Sequence, residues 1–398
     1  MKIITRTVLL LSMVSLFTDL ASEMLYPVMP VYLRSIGFSV LLIGILEGFA
    51  EAIAGLSKGY FGELSDSIGK RLPFVRLGYS LSAISKPMMA LFTYPFWIFG
   101  ARSIDRLGKG IRTSSRDALL SDETTKENKA KVFGFHRGMD TFGAVLGPTV
   151  ALMFLYFYPA NYKTLFLLAF APGLIAILFT YLIKEKGEEK ITRKKTQNKI
   201  SFFSFINYFK GSPLTYRRLV LGLLAFALFN SSDVFLLLKI KDSGLDDTHV
   251  IGIYIFYNLI YALSSFPIGI LADKIGMKNI FVSGLILFAM VYAGMSIANS
   301  LAEFLVLFFL YGLFAAATEG ISKAWITNVV HKQNTATAIG TYSAFNSIFN
   351  LLASSLAGLL WYTLGAPALF ITSAIVTVVV AIYFLMMKFD EENHDIKT

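Results

Sequence analysis

The sequence predicts an all-α polytopic membrane protein, with twelve transmembrane helices in two six-helix halves. Three observations carry that prediction. Apolar runs of about 18–25 residues recur along nearly the whole chain, each long enough to cross a hydrocarbon core of roughly 30 Å as a helix. Most lack the polar stripe that a water-soluble helix carries, in keeping with a chain that is 55% hydrophobic and 16% charged. One charged decapeptide, finally, is written twice at equivalent places, as GELSDSIGKR (Gly62 to Arg71) and GILADKIGMK (Gly269 to Lys278).

The first span, 8–33, opens behind Lys2 and Arg6 with VLLLSMVSLF. That opening has the look of a secretory signal, but no small-residue cleavage site closes it, so it reads as a retained span. Pro27 and Pro30 are expected to kink it. The spans 40–61, 73–94, 96–116, 132–157 and 164–183 complete a first bundle over residues 1–183. Lys184 to Ile200, KEKGEEKITRKKTQNKI, is a charge run that reads as a solvated linker. SFFSFINYFKG follows it and fits either a short helix lying on the membrane surface or a linker packed on the bundle. After this linker, 184–217, the spans 218–238, 249–271, 279–298, 301–322, 337–362 and 366–387 form a second bundle over 218–388, with a tail at 389–398. The longest stretch outside the spans is about 35 residues, too short for a typical independent domain. Function must therefore lie between the helices.

Charge placement gives the topology. Lys and Arg crowd alternate loops: Lys70, Arg71 and Arg76; Lys126, Lys129 and Lys131; the tract 184–199; Lys274 and Lys278; Lys332. The other loops hold little beyond Arg34, Lys163 and Lys241. By the positive-inside rule both termini and both decapeptides are expected in the cytoplasm of a prokaryotic inner membrane. The net charge of +10 is then a topology signal and not a nucleic-acid footprint. The absence of cysteine excludes disulfides, thiolate metal sites and cysteine nucleophiles. No H-E-x-x-H or G-x-S-x-G constellation points to an enzyme, and nothing calls for a cofactor or resident metal.

Two motifs carry a resemblance. Gly62, Leu64, Ser65, Asp66, Gly69, Lys70 and Arg71 match Gly-x-Leu-Ala/Ser-Asp-x-x-Gly-Arg/Lys-Lys/Arg. The second copy keeps Gly269, Leu271, Ala272, Asp273 and Gly276, while Met277 interrupts its basic pair. In the fifth span, GFHRGMDTFGAVLGPTVAL sets Gly134, Gly143, Gly147 and Pro148 as G-x8-G-x3-G-P. On these motifs, and over its full length, the chain resembles the major facilitator superfamily of secondary transporters, and the glycine pattern is similar to the antiporter motif of its drug/proton exporters. Ala151 and Leu152 depart from that motif, standing where a glycine pair is usual. The resemblance implies a cytoplasmic latch at the repeated turns. Gly69 and Gly276 would permit unusual backbone angles, while Asp66 and Asp273 would accept from helix-end amides or pair with arginines as the halves close. Gly143 and Gly147 share a helix face and admit a close neighbour.

Ionisable groups at membrane depth are unfavourable, about 2.5–3.5 kcal/mol each on insertion scales, and mark functional sites. Asp19 and Glu23 are four apart, about 6 Å in helical rise. Two such carboxylates do not both ionise easily in a low dielectric, which makes the pair a proton carrier; a fixed salt bridge to an arginine is the alternative. The fourth span, RSIDRLGKGIRTSSRD, carries Arg102, Asp105, Lys109, Arg112 and Arg116 in steps of three or four. Lys109, Arg112 and Arg116 read as cytoplasmic-end residues, and Arg102, Asp105 and Arg106 as deeper ones. By resemblance Arg106 would couple protons to substrate; its plainer role is to neutralise Asp19 or Asp140. Asp140, Lys86, Asn230, Asp233 and Glu319 complete the candidate proton and substrate sites, with Glu47, Glu51 and Lys58 nearby. Acids and bases nearly balance, as in a hydrated, paired cavity.

The expectation is a monomeric secondary transporter exchanging protons for small amphipathic molecules across the bilayer, by alternating access. Coupling is expected mainly in the first half, and aromatic contacts in the second. An anion exchanger or importer built on Arg102, Arg106 and Lys86, or an exporter of metals or metal chelates, are the other readings.

Overall fold

The structure is a computed structural model that describes residues 4–26, 28–184 and 203–387. Pro27, the bulk of the charged linker and the tail lie outside the described residues. The first span is built in two pieces, α1 (Arg6–Glu23) and α2 (Met29–Ser35). Then come α3 (Val40–Ile68), α4 (Leu72–Leu91), α5 (Pro95–Asp122), α6 (Lys129–Phe157) and α7 (Tyr162–Leu182). A short α8 (Ser204–Gly211) precedes the second half. That half repeats the plan, beginning with a broken span, α9 (Leu214–Ala227) and α10 (Val234–Asp242). It continues through α11 (Asp247–Ile275), α12 (Met277–Met295), α13 (Leu301–Asn328), α14 (Thr335–Leu364) and α15 (Ala366–Met386). The described residues contain no strand.

Local chemistry sets the ends. Ser39 and Asp246 accept from the amides of Leu42 and His249, at 3.2 and 2.9 Å, and so cap α3 and α11. Ser300 and Glu303 form a capping box at α13. The repeated decapeptide is mostly helix, since α3 runs on to Ile68 and α11 to Ile275. Only Gly69 and Gly276, with φ of +70° and +97°, reverse the chain, in backbone conformations that favour glycine.

In the first half α5 packs on α3 and α4, and α6 on α1; in the second α13 packs on α11 and α12. The halves meet along α3 with α14 and α6 with α11. Glycines let these pairs close at the ends carrying the decapeptides: a Cβ on Gly62 would lie 2.4 Å from the Ala336 carbonyl oxygen, and one on Gly134 2.4 Å from that of Ser265. Toward the other ends Gly48 and Gly252 face open space.

The exterior is oily, with Phe96 93% and Tyr362 89% exposed, as a lipid-facing surface requires. Length and hydropathy alone mark seven of the described helices as spans. Helix α5 fails that measure because it buries a charged face, including Arg102, Asp105, Arg112, Arg116 and Asp117, inside the protein. Helix α8 packs on the bundle: Phe205 is buried against Phe345, ring centroids 5.2 Å apart, and the Ser204 hydroxyl donates to Glu63.

Candidate functional site: a two-walled charged cavity

A cavity of about 540 Å³ lies between the halves. The first half contributes a charged wall, from Asp19 and Glu23 on α1, through Glu51 and Lys58 on α3, to the cationic ladder of α5. The second half contributes an aromatic and amide wall, with Tyr254, Tyr257 and Tyr261 on α11, Asn230 and Asn346. Asp233 and Glu319 are the acids of that wall, and Asp233 accepts from the Tyr311 hydroxyl at 2.7 Å.

Most of the charge is paired. Arg102 binds Glu47 through two parallel bonds of 2.9 and 2.8 Å and reaches Asp105 at 3.4 Å. Asp105 also holds Lys86 at 2.8 Å. Lys86, expected against substrate, is 2% exposed and sits behind α5 rather than in the cavity wall. Arg106 faces Glu47 and Glu51 at 3.8 and 3.7 Å, not Asp19 or Asp140. Asp140 is held by Arg137 at 2.7 Å and by the Ser15 hydroxyl. Arg137 crosses the half boundary to Glu319 at 3.6 Å and donates to the Tyr261 hydroxyl.

Asp117, which sequence reasoning left without a role, is 1% exposed and bridges Arg116 at 2.8 Å to Lys323 of the other half at 2.9 Å. Its signal was its place beside Arg116 in the ladder of α5. Lys109, Arg112 and Arg116, expected at the cytoplasmic end, instead line the cavity. The helix continues to Asp122, so these side chains sit inside the bundle. His136 is buried beside Ser12, with 3.3 Å between Nδ1 and Oγ.

Asp19 and Glu23 stand apart from this network. Among the described residues neither has a cation within 4.0 Å, so the fixed salt bridge to an arginine is not formed. Their helix is pressed against α6 by the antiporter-type glycines: a Cβ on Gly143 would fall 2.3 Å from the Leu16 carbonyl oxygen, and one on Gly147 2.8 Å from that of Leu20. Pro148 follows inside α6. Gly134 faces the other way, onto α11, so the motif seats α6 between α1 and the second half. Gly143→Val is expected to force α1 from α6 and lower stability by about 1–3 kcal/mol, read as a fall in melting temperature in detergent. An unchanged melting curve would contradict the close approach.

The repeated turns are joined crosswise. Asp66 Oδ2 accepts from the amide and the hydroxyl of Thr337, both at 2.7 Å, at the start of α14. Asp273 accepts from the amides of Ala130 and Lys131, both at 2.9 Å, at the start of α6. Each half's aspartate thus satisfies otherwise unpaired amides at a helix N-terminus of the other half. Arg71 adds contacts to Asp66 at 3.4 Å and the Lys332 carbonyl at 3.3 Å. Lys70, expected in the latch, is exposed and has no ion-pair partner among the described residues.

Residues 11–259 and again 235–397 match the Major Facilitator Superfamily. The chain belongs to that superfamily. This superfamily member is 34% identical over 364 residues to an MFS-type transporter of Methanocaldococcus jannaschii, covering 90% of this chain and 89% of that one. It is 22% identical over 351 residues to a multi-drug resistance efflux pump PmrA homolog of Lactococcus lactis, covering 86% and 84%. The fold is that of the human organic anion transporter MFSD10, with a TM-score of 0.79 over 95% of this chain and 99% of that one, at 16% identity. The protein is a multi-pass MFS membrane transporter and not an enzyme.

Proposed function

We propose that this transporter is a proton-coupled exporter of small amphipathic molecules, working by alternating access in a prokaryotic inner membrane with both termini in the cytoplasm. One observation carries the reading: Asp19 and Glu23 line the cavity without an ion-pair partner, on a helix seated by the antiporter-type glycines. Carboxylates left free of fixed counter-ions can take up and release protons as the cavity changes its exposure. The crosswise caps at the decapeptides form when the halves close on the cytoplasmic side and break when they part. The efflux-pump relative supports the direction, and the charged and aromatic walls suit an amphipathic cargo. Anion exchange on Arg102 and Arg106 is disfavoured because Glu47 binds Arg102 in parallel bonds and Glu47 and Glu51 flank Arg106 at 3.8 and 3.7 Å.

The test uses everted vesicles holding an acid-interior gradient. Lipophilic cations, organic anions and divalent metals are added in turn, and dissipation is compared with Asp19→Asn. Dissipation by one class in the wild-type protein, reduced to background in the variant, is the expected result. Dissipation by none, from a folded and inserted protein, would sink the antiport reading.

A further inference from the structure

Two lysines remain unexplained by the proton pathway. Lys58 and Lys109 both line the cavity, and among the described residues neither has a carboxylate within 4.0 Å. Of the nearby acids, Glu47 is bound by Arg102 and Asp105 by Lys86 and Arg102, while Glu51 comes no closer than 3.7 Å to Arg106. The placement of the two lysines is built into the backbone. Gly110, next to Lys109, packs so closely on Ser57, next to Lys58, that a Cβ on it would lie 2.4 Å from the serine Cβ. The Ser114 hydroxyl fixes the same corner, donating to the Lys58 carbonyl at 3.0 Å. Two ammonium groups therefore enter the cavity from one corner. Ammonium groups at membrane depth with no carboxylate in direct contact are rare and point to a ligand.

The free acids belong to the same cavity. An anionic cargo would sit on the lysines but meet the repulsion of those carboxylates. A cationic cargo would displace protons from the carboxylates but leave the lysines without a counter-charge. A cargo carrying both signs satisfies both pairs. Across from them, Tyr254, Tyr257 and Tyr261 recur on one face of α11, with the Tyr311 ring 5.0 Å from that of Tyr257 and tilted by 31°.

We infer that the cargo is an aromatic zwitterion, its amine on Asp19 and Glu23, its acid group on Lys58 and Lys109, and its ring against the tyrosine face of α11. This rests on the exporter reading, because an amine that competes with protons for Asp19 and Glu23 is what couples export to proton entry.

The test is a matched set of probes on the purified full chain: phenylalanyl-phenylalanine, its C-terminal amide and its N-acetyl form, with binding read by calorimetry. The zwitterion is expected to bind about tenfold or more tightly than either single-charge form. The Lys58→Gln/Lys109→Gln double variant should bind zwitterion and amide alike, and Lys58→Arg/Lys109→Arg should restore the preference, which a misfolded protein would not do. Asp19→Asn/Glu23→Gln should erase the preference over the N-acetyl form. The proposal is overturned if the amide or the N-acetyl form binds as tightly as the zwitterion to the wild-type protein, or if none of the three binds. A preferred zwitterion that moves no protons in everted vesicles would uphold the charge-paired site and remove proton-driven export. Gradient collapse by the amide alone would uphold export and remove the zwitterion.

Discussion

Asp117→Asn is expected to destabilise the transporter by about 3–5 kcal/mol, seen as a large fall in melting temperature in detergent. Asp117 is 1% exposed and is the shared anion of Arg116 and Lys323. Asparagine fills the space but leaves the buried Arg116 and the half-buried Lys323 without their shared anion, and the penalty for a buried charge without its partner exceeds what the pair contributes. Lys323→Met makes the contrast, because the Asp117–Arg116 pair at 2.8 Å survives and the loss in stability should be smaller. The double variant should fall short of the sum of the two, since both changes act on one network. A melting temperature unchanged in Asp117→Asn would show that water or a rearranged partner reaches this site. Lys323→Met also cuts a tie between α5 and α13, so it should ease the separation of the halves.

The second large effect is expected at Gly62, where Gly62→Leu should reduce transport by about 100-fold or more while leaving insertion intact. A side chain there would drive into the Ala336 carbonyl oxygen, 2.4 Å from its Cβ, and hold α3 off α14. The bonds from Thr337 to Asp66 would then be lost, and hydrogen bonds to a charged group contribute about 1.5–3 kcal/mol each. Losing both shifts the open–closed balance by well over tenfold, which is enough to leave the decapeptide ends mostly parted. Because the sequence has no cysteine, a single Ser343→Cys in the cavity wall can report this. In everted vesicles an impermeant maleimide should label it faster in the Gly62→Leu background, with Asp66→Ala moving the rate in the same direction but less. Equal labelling and full transport would rule out a latch.

The sequence made the architecture legible because membrane spans and glycine turns are local signals. Twelve apolar runs, the duplicated decapeptide and the positive-φ glycines at 69 and 276 were all readable one segment at a time. So was the capacity of Asp66 and Asp273 to accept from helix-end amides, though not which helices would supply them. Segment ends were read short because hydropathy stops at the first charge while the helix does not. That is why α3 and α5 run to Ile68 and Asp122, and why Asp117 went unassigned. Pairing was the least legible property. Periodicity says that Arg102 and Arg106 share a helix with Asp105, but the neighbour they face depends on how α3 and α5 are rotated in the packed bundle. That rotation gives them Glu47 and Glu51, places Lys86 out of the cavity, and leaves Asp19 and Glu23 free.

The exchange of caps between the halves has a consequence for how the molecule is made. Asp66 waits for Thr337, which lies 271 residues further along the chain, and Ala130 waits for Asp273, 143 residues on. At a synthesis rate of about 5–20 residues per second, the first aspartate emerges roughly 14–54 seconds before its partner. By the later part of that interval the first half is complete, with the start of α6 uncapped until Asp273 is made and Asp66 held only by Arg71 of its own half. The two ends are completed only by the arrival of the other half, so a ribosome that stalls within the central linker leaves a bundle marked by these open groups. Newly made protein therefore completes last the contacts that join its two halves at the decapeptide ends.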